Sequence, residues 1–334
     1  MQRAIGSMTR TGLRAGSKAL KQAMRAPAAG SRPAAGLLAD PSGRRGLKGC
    51  VAGMAFSAGG ARRYYLYKPP DLALAERLPL LVMLHGCGQD ANGFSMSTRM
   101  NRVAARERFL VLYPEQDPLA NPQRCWNWFE TRSRRAQGEA AIVLAAIDQV
   151  CLLYPVDRSR IAIAGMSAGA SMAALLAARH PGRFKAVVMH SGVPPGAADS
   201  AASAMRAMRG HRLPPTPPGA VSWPPLLVIQ GSSDRVVAAM NGAAAARHWA
   251  SAAGASEITV RQVRRGARHP MTVTDFKSGG TVAATLCEVE RLGHAWSGGA
   301  AGQRFSDAEG PDASRMVWAF IARCFAARAT PPPA

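Results

Sequence analysis

The stretch Ile161-Ala162-Ile163-Ala164-Gly165-Met166-Ser167-Ala168-Gly169 decides how this chain reads. A short apolar run of strand character enters a serine flanked by glycines, and an alanine-rich segment of helical character, Ala168–Arg179, follows without a break. Strand, sharp turn and helix in that order make the setting of a nucleophile elbow, a strained turn that lifts one serine hydroxyl clear of a sheet. Glycines flank the serine because side chains there would collide with the neighbouring strand and helix, and because the turn needs unusual backbone angles. The bare Gly-x-Ser-x-Gly spacing also arises by chance. The competing reading is a glycine-rich turn that closes an ordinary strand–helix unit, and it survives only if Ser167 has no partners.

Outward from the elbow, strands are expected over 63–68, 80–84, 109–113, 186–189, 226–230, 258–263 and 285–292. Helices are expected over 97–108, 139–153, 237–253 and 313–327. Short apolar runs alternating with helices imply an α/β fold with a mostly parallel sheet covered by helices on both faces. Residues 191–225 break the regularity with eight prolines; such an excursion is expected to run near the site. The domain reading is a basic N-terminal helix and flexible linker over 1–48, a catalytic domain over 49–328 and a disordered tail over 329–334. The stretch 26–60 is rich in glycine, proline and alanine, with room for one short strand.

A serine hydroxyl needs a histidine to take its proton and a carboxylate to orient that histidine. In this architecture the chain order is serine, acid, histidine. Asp234, in Gly231-Ser232-Ser233-Asp234-Arg235, follows the strand 226–230 at the sheet edge where such folds place their chemistry; its structural alternative is a helix N-cap. Asp275 is the rival, in a setting that reads as loop. His294 lies in Leu292-Gly293-His294-Ala295-Trp296-Ser297-Gly298-Gly299, past the last strand and before the final helix. His180, His190, His211, His248 and His269 are worse placed and read as surface or structural residues. Two amides should bind the oxyanion: Ala168 at a helix start, and Cys87 in the loop His85-Gly86-Cys87-Gly88-Gln89. His85 is then structural.

The net charge is +22, of which the first 48 residues carry +9 from ten Lys or Arg and one Asp. Such a surface can hold an acidic partner. No zinc-finger spacing or basic-aromatic stacking pattern accompanies it, so no specific nucleic acid is expected; contact of 1–48 with an anionic surface or granule is the alternative. No run reaches the ~18 apolar residues of a membrane-spanning helix, which points to a soluble chain. The six cysteines form no Cys-x-x-Cys and no cluster with histidine, which argues against a zinc or other metal site. Cys151 and Cys324 read as buried thiols; Cys87 and Cys125 sit in loops, and a bridge between them would argue for an oxidising compartment. Residues 1–25 are basic and amphipathic without the apolar core of a secretory signal, which favours the cytoplasm.

Beyond the elbow, the chain carries Leu84-His85-Gly86-Cys87-Gly88-Gln89, Tyr113-Pro114-Glu115-Gln116, Arg124-Cys125-Trp126-Asn127-Trp128-Phe129, Gly293-His294-Ala295-Trp296-Ser297-Gly298-Gly299 and Gly310-Pro311-Asp312-Ala313-Ser314. With these segments it resembles the polyhydroxybutyrate depolymerase-type esterases of the α/β-hydrolase superfamily, a group similar to feruloyl and acetyl-xylan esterases. The resemblance runs from about residue 64 to 325. It implies an α/β-hydrolase fold and a serine esterase in which Ser167, Asp234 and His294 form the triad and Cys87 and Ala168 the oxyanion hole. It also implies a Cys87–Cys125 bridge and, with it, an extracellular alternative for the compartment. Ala170 departs from the family, where another glycine is frequent; on a helix this should cost little. Trp126, Trp128 and Trp296 are expected as flat apolar walls for an acyl group, with core packing as the alternative. The two-step acyl transfer needs no metal or organic cofactor. The expected substrates are 3-hydroxyalkanoate polyester or its oligomers; feruloyl or acetyl-xylan esters are the alternative, and a basic surface-binding protein using 1–48 is the reading from another class. No separate polymer-binding module is expected after 327.

Overall fold

The computed structural model describes residues 49–73, 76–217 and 221–327. The basic helix and linker expected over 1–48 and the tail expected over 329–334 lie outside the described residues.

Ten strands form one sheet in the order β1-β2-β4-β3-β5-β6-β7-β10-β9-β8. Its centre is parallel: β3 (Leu78–Leu84), β4 (Leu110–Pro114), β5 (Val156–Met166), β6 (Ala186–His190), β7 (Leu226–Gly231) and β10 (Thr281–Val289). Every residue of β3, β4, β6 and β7 is buried, which is why these strands read as unbroken apolar runs. Antiparallel strands extend both sides. β1 (Cys50–Ser57) and β2 (Gly60–Tyr67) form a hairpin beside β4; β8 (Glu257–Val263) and β9 (Met271–Ser278) continue beyond β10. A two-stranded sheet joins β11 (Trp296–Ser297) to β12 (Ser306–Asp307).

The helices are α1 (Ala91–Thr98), α2 (Met100–Glu107), α3 (Arg135–Leu153), α4 (Ala168–Arg179), α5 (Ala201–Met208), α6 (Met240–Ala252) and α7 (Ala313–Ala326). The helix expected over 97–108 is therefore two. Asp90 caps α1 by accepting from the Gly93 amide, and Arg99 at φ 55° ends it through its own amide on Ser95 O. The start of α1 was missed because its glycine and polar residues mask the Asp90 cap. The proline-rich excursion 191–225 holds α5, whose Ser200 and Ser203 make a reciprocal capping box. Met271–Ser278, expected as loop, is strand β9, and Asp275 sits within it.

α3 is the one helix among the described residues long and apolar enough to cross a membrane, contrary to the expectation that no segment would be. It starts four residues earlier than expected, at Arg135. The helix packs on β1 and β2 and buries Glu139 against Arg62, so its apolar face is spent on the sheet. Cys151 and Cys324, expected to be buried, are only partly so; Cys287 on β10 is the buried free thiol.

Candidate active site

The ends of four parallel strands carry the expected site residues. β5 runs into Ser167, which adopts φ 55° and ψ −122° before α4 begins at Ala168. A non-glycine residue in that conformation is strained by about 1–3 kcal/mol, and such strain persists only where surrounding structure enforces it. Enforcement here is close packing. A Cβ on Gly169 would collide with Leu84 O at the end of β3, and a Cβ on Gly165 would collide with the backbone of Gly169. The Ser167 amide donates to His190 O (2.9 Å), which ties the turn to β6. Ala170 meets no penalty: it is buried on α4 opposite Gly192, where the lack of a side chain leaves it room.

Asp234 follows β7, and His294 lies in the loop after β10. His294 Nδ1 donates to Asp234 Oδ2 at 2.8 Å. The Asp234 side chain has no exposed surface, and that of His294 is one-tenth exposed. Asp234 Oδ1 accepts from the Val236 and Val237 amides, both at 2.9 Å. Burial pushes the carboxyl up, but the hydrogen bond and charge of His294, with the two amides, outweigh it and hold the group below its ordinary range. An ionised carboxylate on Nδ1 leaves Nε2 of a neutral imidazole as the free basic nitrogen. The N-cap alternative for Asp234 holds only in a local sense, since the same carboxylate serves the turn 234–237 and the imidazole. Asp275, the rival, accepts from Thr285 Oγ1 (2.6 Å) and from Arg261, not from a histidine.

Ser167 Oγ has no hydrogen-bond partner among the described residues, so Asp234 and His294 are joined to each other while the serine hydroxyl stays open. The loop after β3 comes close to it: a Cβ on Gly86 would stand 3.4 Å from Ser167 Cβ. Within the described residues the amides of Cys87 and Ala168 donate to no acceptor. Gly88 N donates to Gln123 O (2.8 Å), and a disulfide joins Cys87 to Cys125, clamping this loop to the segment that carries Trp126.

Two buried histidines, read from the sequence as structural (His85) and as surface or structural (His190), hold the loops around the site. His190 Nε2 accepts from the Ser297 amide (3.1 Å), in the loop that carries His294, while its ring stacks on Trp296 at 4.9 Å. Burial, and then the nearby His294 charge, push its pKa down to about 3, so it is neutral. His85 Nε2 accepts from the Gln116 amide (3.1 Å), and burial lowers its pKa to about 4. Neither role has a local signal, because each partner lies far along the chain.

Two of the three tryptophans require a correction. Trp126 and Trp296 are fully buried and Trp128 is 6% exposed. Trp296 is enclosed by His190 and Phe94 and donates Nε1 to Ser314 Oγ (3.1 Å). Side chains without exposed area present no wall to a ligand; Trp126 and Trp296 shape the loops from beneath.

A mostly parallel sheet with helices, and a serine at a strained strand–helix turn, define an α/β-hydrolase fold. Residues 62–269 match the family described as Esterase PHB depolymerase, and the chain belongs to that family. The matched span includes Ser167 and Asp234 and ends before His294. The chain is 33% identical over 144 residues to poly(3-hydroxyalkanoate) depolymerase C of Paucimonas lemoignei, covering 43% of this chain and 34% of that protein. It is 32% identical over 144 residues to feruloyl esterase B of Neurospora crassa, covering 42% and 48%. The chain thus spans half or less of the length of these curated relatives. Among solved structures, an acetyl xylan esterase from Aspergillus awamori superposes with a TM-score of 0.61 at 18% identity, over 73% of this chain and 94% of that one. At that identity the likeness speaks for the fold alone.

Proposed function

We propose that this protein is a serine esterase that cleaves carboxylic esters through an acyl-enzyme. The observation that carries the reading is the buried Asp234–His294 pair together with a serine held at φ 55° between β5 and α4, all at the ends of the parallel strands. Ser167 Oγ attacks the ester carbonyl while His294 Nε2 takes the hydroxyl proton; Asp234 stabilises the imidazolium through Nδ1–H. The amides of Cys87 and Ala168 receive the negative charge on the carbonyl oxygen, Ala168 from the positive end of the α4 dipole. Collapse of the tetrahedral adduct expels the alcohol, which takes the proton from His294. Water, deprotonated by His294, then attacks the acyl-serine, releases the acid and restores Ser167.

The substrate class we propose is 3-hydroxyalkanoate esters, as polyester or oligomers, supported by family membership and by the relative from Paucimonas lemoignei. Feruloyl or acetylated-polysaccharide esters are the second reading, favoured by the feruloyl esterase B relative and by acetylxylan esterase A of Emericella nidulans, 30% identical over 135 residues. The Cys87–Cys125 bridge supports work in an oxidising compartment.

Hydrolysis of p-nitrophenyl butyrate tests the mechanism. Ser167→Ala should lower kcat by about ten-thousand-fold or more; retained activity in a folded variant rejects the assignment. Rates on hydroxybutyrate oligomers against methyl ferulate and acetylated xylan separate the two substrate readings.

A further inference from the structure

A cavity of about 390 Å³ lies away from Ser167 and His294, neither of which lines it. Its walls carry six arginines from three parts of the chain: Arg99, Arg102 and Arg106 on the α2 side, Arg265 and Arg268 from the turn between β8 and β9, and Arg315 on α7. The first three stand at helical spacing, so one face of α2 presents them together. Among the described residues Asp312 is the only carboxylate in the lining.

These charges are poorly compensated. Arg315 faces Asp312 at 3.6 Å, and Arg106 pairs with the exposed Glu107. Arg99 and Arg268 donate to backbone carbonyls, of Gly298, Ala308 and Gly310, which supply no negative charge. Arg102 and Arg265 have no carboxylate within 4 Å among the described residues. The nearby carboxylates of Asp307 and Glu309 turn towards His269 instead. Like charges gathered in one concavity repel, and a low-dielectric wall focuses their field outward. An anion seated among them would relieve that repulsion.

We propose that this cavity is a binding site for a small phosphate-chain ligand, a linear polyphosphate or the phosphate chain of a nucleotide. The charge is too great for a monoanion, and the volume falls in the range of small-molecule sites. Guanidinium forks on three walls suit a ligand whose oxygens point in several directions along its length. A phosphate chain meets that requirement, whereas a carboxylate offers one planar pair of oxygens.

Isothermal titration of the full chain with inorganic tripolyphosphate, ATP and citrate at matched ionic strength tests the site. Saturable binding of one tripolyphosphate per chain is expected, with citrate weaker. The double variant Arg102→Ala/Arg265→Ala should raise the Kd roughly tenfold or more, since it removes two charge-assisted contacts. Both residues are exposed, so its circular dichroism spectrum should match wild type. Arg179→Ala/Arg247→Ala removes the same charge from exposed positions outside the cavity and should leave the Kd within about twofold, because distant screened charges contribute little. Tighter binding of ATP than of tripolyphosphate identifies a nucleotide as the source; equal binding identifies the phosphate chain alone. Equal weakening in both double variants, unsaturable binding, or citrate binding as tight as tripolyphosphate overturns the proposal.

Discussion

His85 follows the last residue of β3 and His190 ends β6, the two strands that flank β5 and its serine. Each imidazole accepts an amide proton from a distant loop through Nε2, and each leans on a tryptophan, Trp126 or Trp296. What surrounds them differs. On the His85 side the loop is held by a disulfide and by a buried polar network. Gln116 Nε2 donates to Glu139 Oε1 (2.8 Å) and to Cys125 O (2.9 Å), Asn127 N donates to Glu139 Oε2 (2.8 Å), and Arg62 stands 3.5 Å from the same carboxylate. On the His190 side the His294 loop is held by the Asp234 carboxylate on His294, by the Ser297 amide on His190, by ring stacking and by Arg99 on Gly298 O. The Cys87 loop is therefore held by a covalent bridge and a buried ionic network, while the His294 loop has no covalent tie among the described residues.

Acid should act on both sides at once, and with the largest effect. The folded values of His85 and His190, about 4 and about 3, lie below the ordinary 6.5. As pH falls through 6.5 the unfolded chain takes up protons that the folded chain refuses, so stability present above 6.5 is drained towards the folded values. Each unit costs about 1.4 kcal/mol per imidazole, or about 4 kcal/mol for the pair at pH 5. Asp234, held low, keeps its contribution throughout this window and loses it only as pH falls through its folded value. Urea unfolding at pH 7.5 and 5 measures the drop, and His85→Gln or His190→Gln should each remove about half of it. A flat profile would sink the neutral-histidine picture.

The next test breaks one side only. Glu139→Gln should cost about 3–5 kcal/mol in urea unfolding, because it leaves Arg62 as a buried cation without its counter-charge. A loss below about 1 kcal/mol would mean that the ionic frame adds little to what packing supplies. Cys125→Ser removes a bridge between cysteines 38 residues apart and should cost about 2–4 kcal/mol. If the disulfide positions the Cys87 amide, kcat on p-nitrophenyl butyrate falls as well, under conditions where the variant remains folded. The smallest effect belongs to the other side. Ser314→Ala removes the acceptor of Trp296 Nε1 and should cost about 1 kcal/mol; a cost equal to that of Cys125→Ser would erase the contrast between the two sides.

Much of this arrangement was legible in the chain. The parallel core strands announce themselves as apolar runs, and α4 has the expected bounds, because burial on both faces and helical periodicity are written locally. Gly165, Gly169 and the order Ser167, Asp234, His294 were legible for the same reason: turn chemistry and element order need no distant information. β9 was not, since Thr272, Thr274 and Asp275 interrupt its apolar residues and its pairing with β8 and β10 supplies the missing reason to extend. Trp126 and Trp296 misled because an aromatic in a loop near a candidate site looks the same in sequence whether it faces a ligand or the core.

By itself the sequence determined the α/β order, the elbow and the identity of the residues able to serve it, since strand, turn and helix propensities act over a few residues. Only the tertiary structure decided that Trp126 and Trp296 are sealed in the core, that His85 and His190 stay neutral beneath two loops, and that six arginines share one cavity. Those outcomes depend on which distant groups packing brings within a few ångströms and which it seals from water. Both are properties of the assembled sheet and its loops.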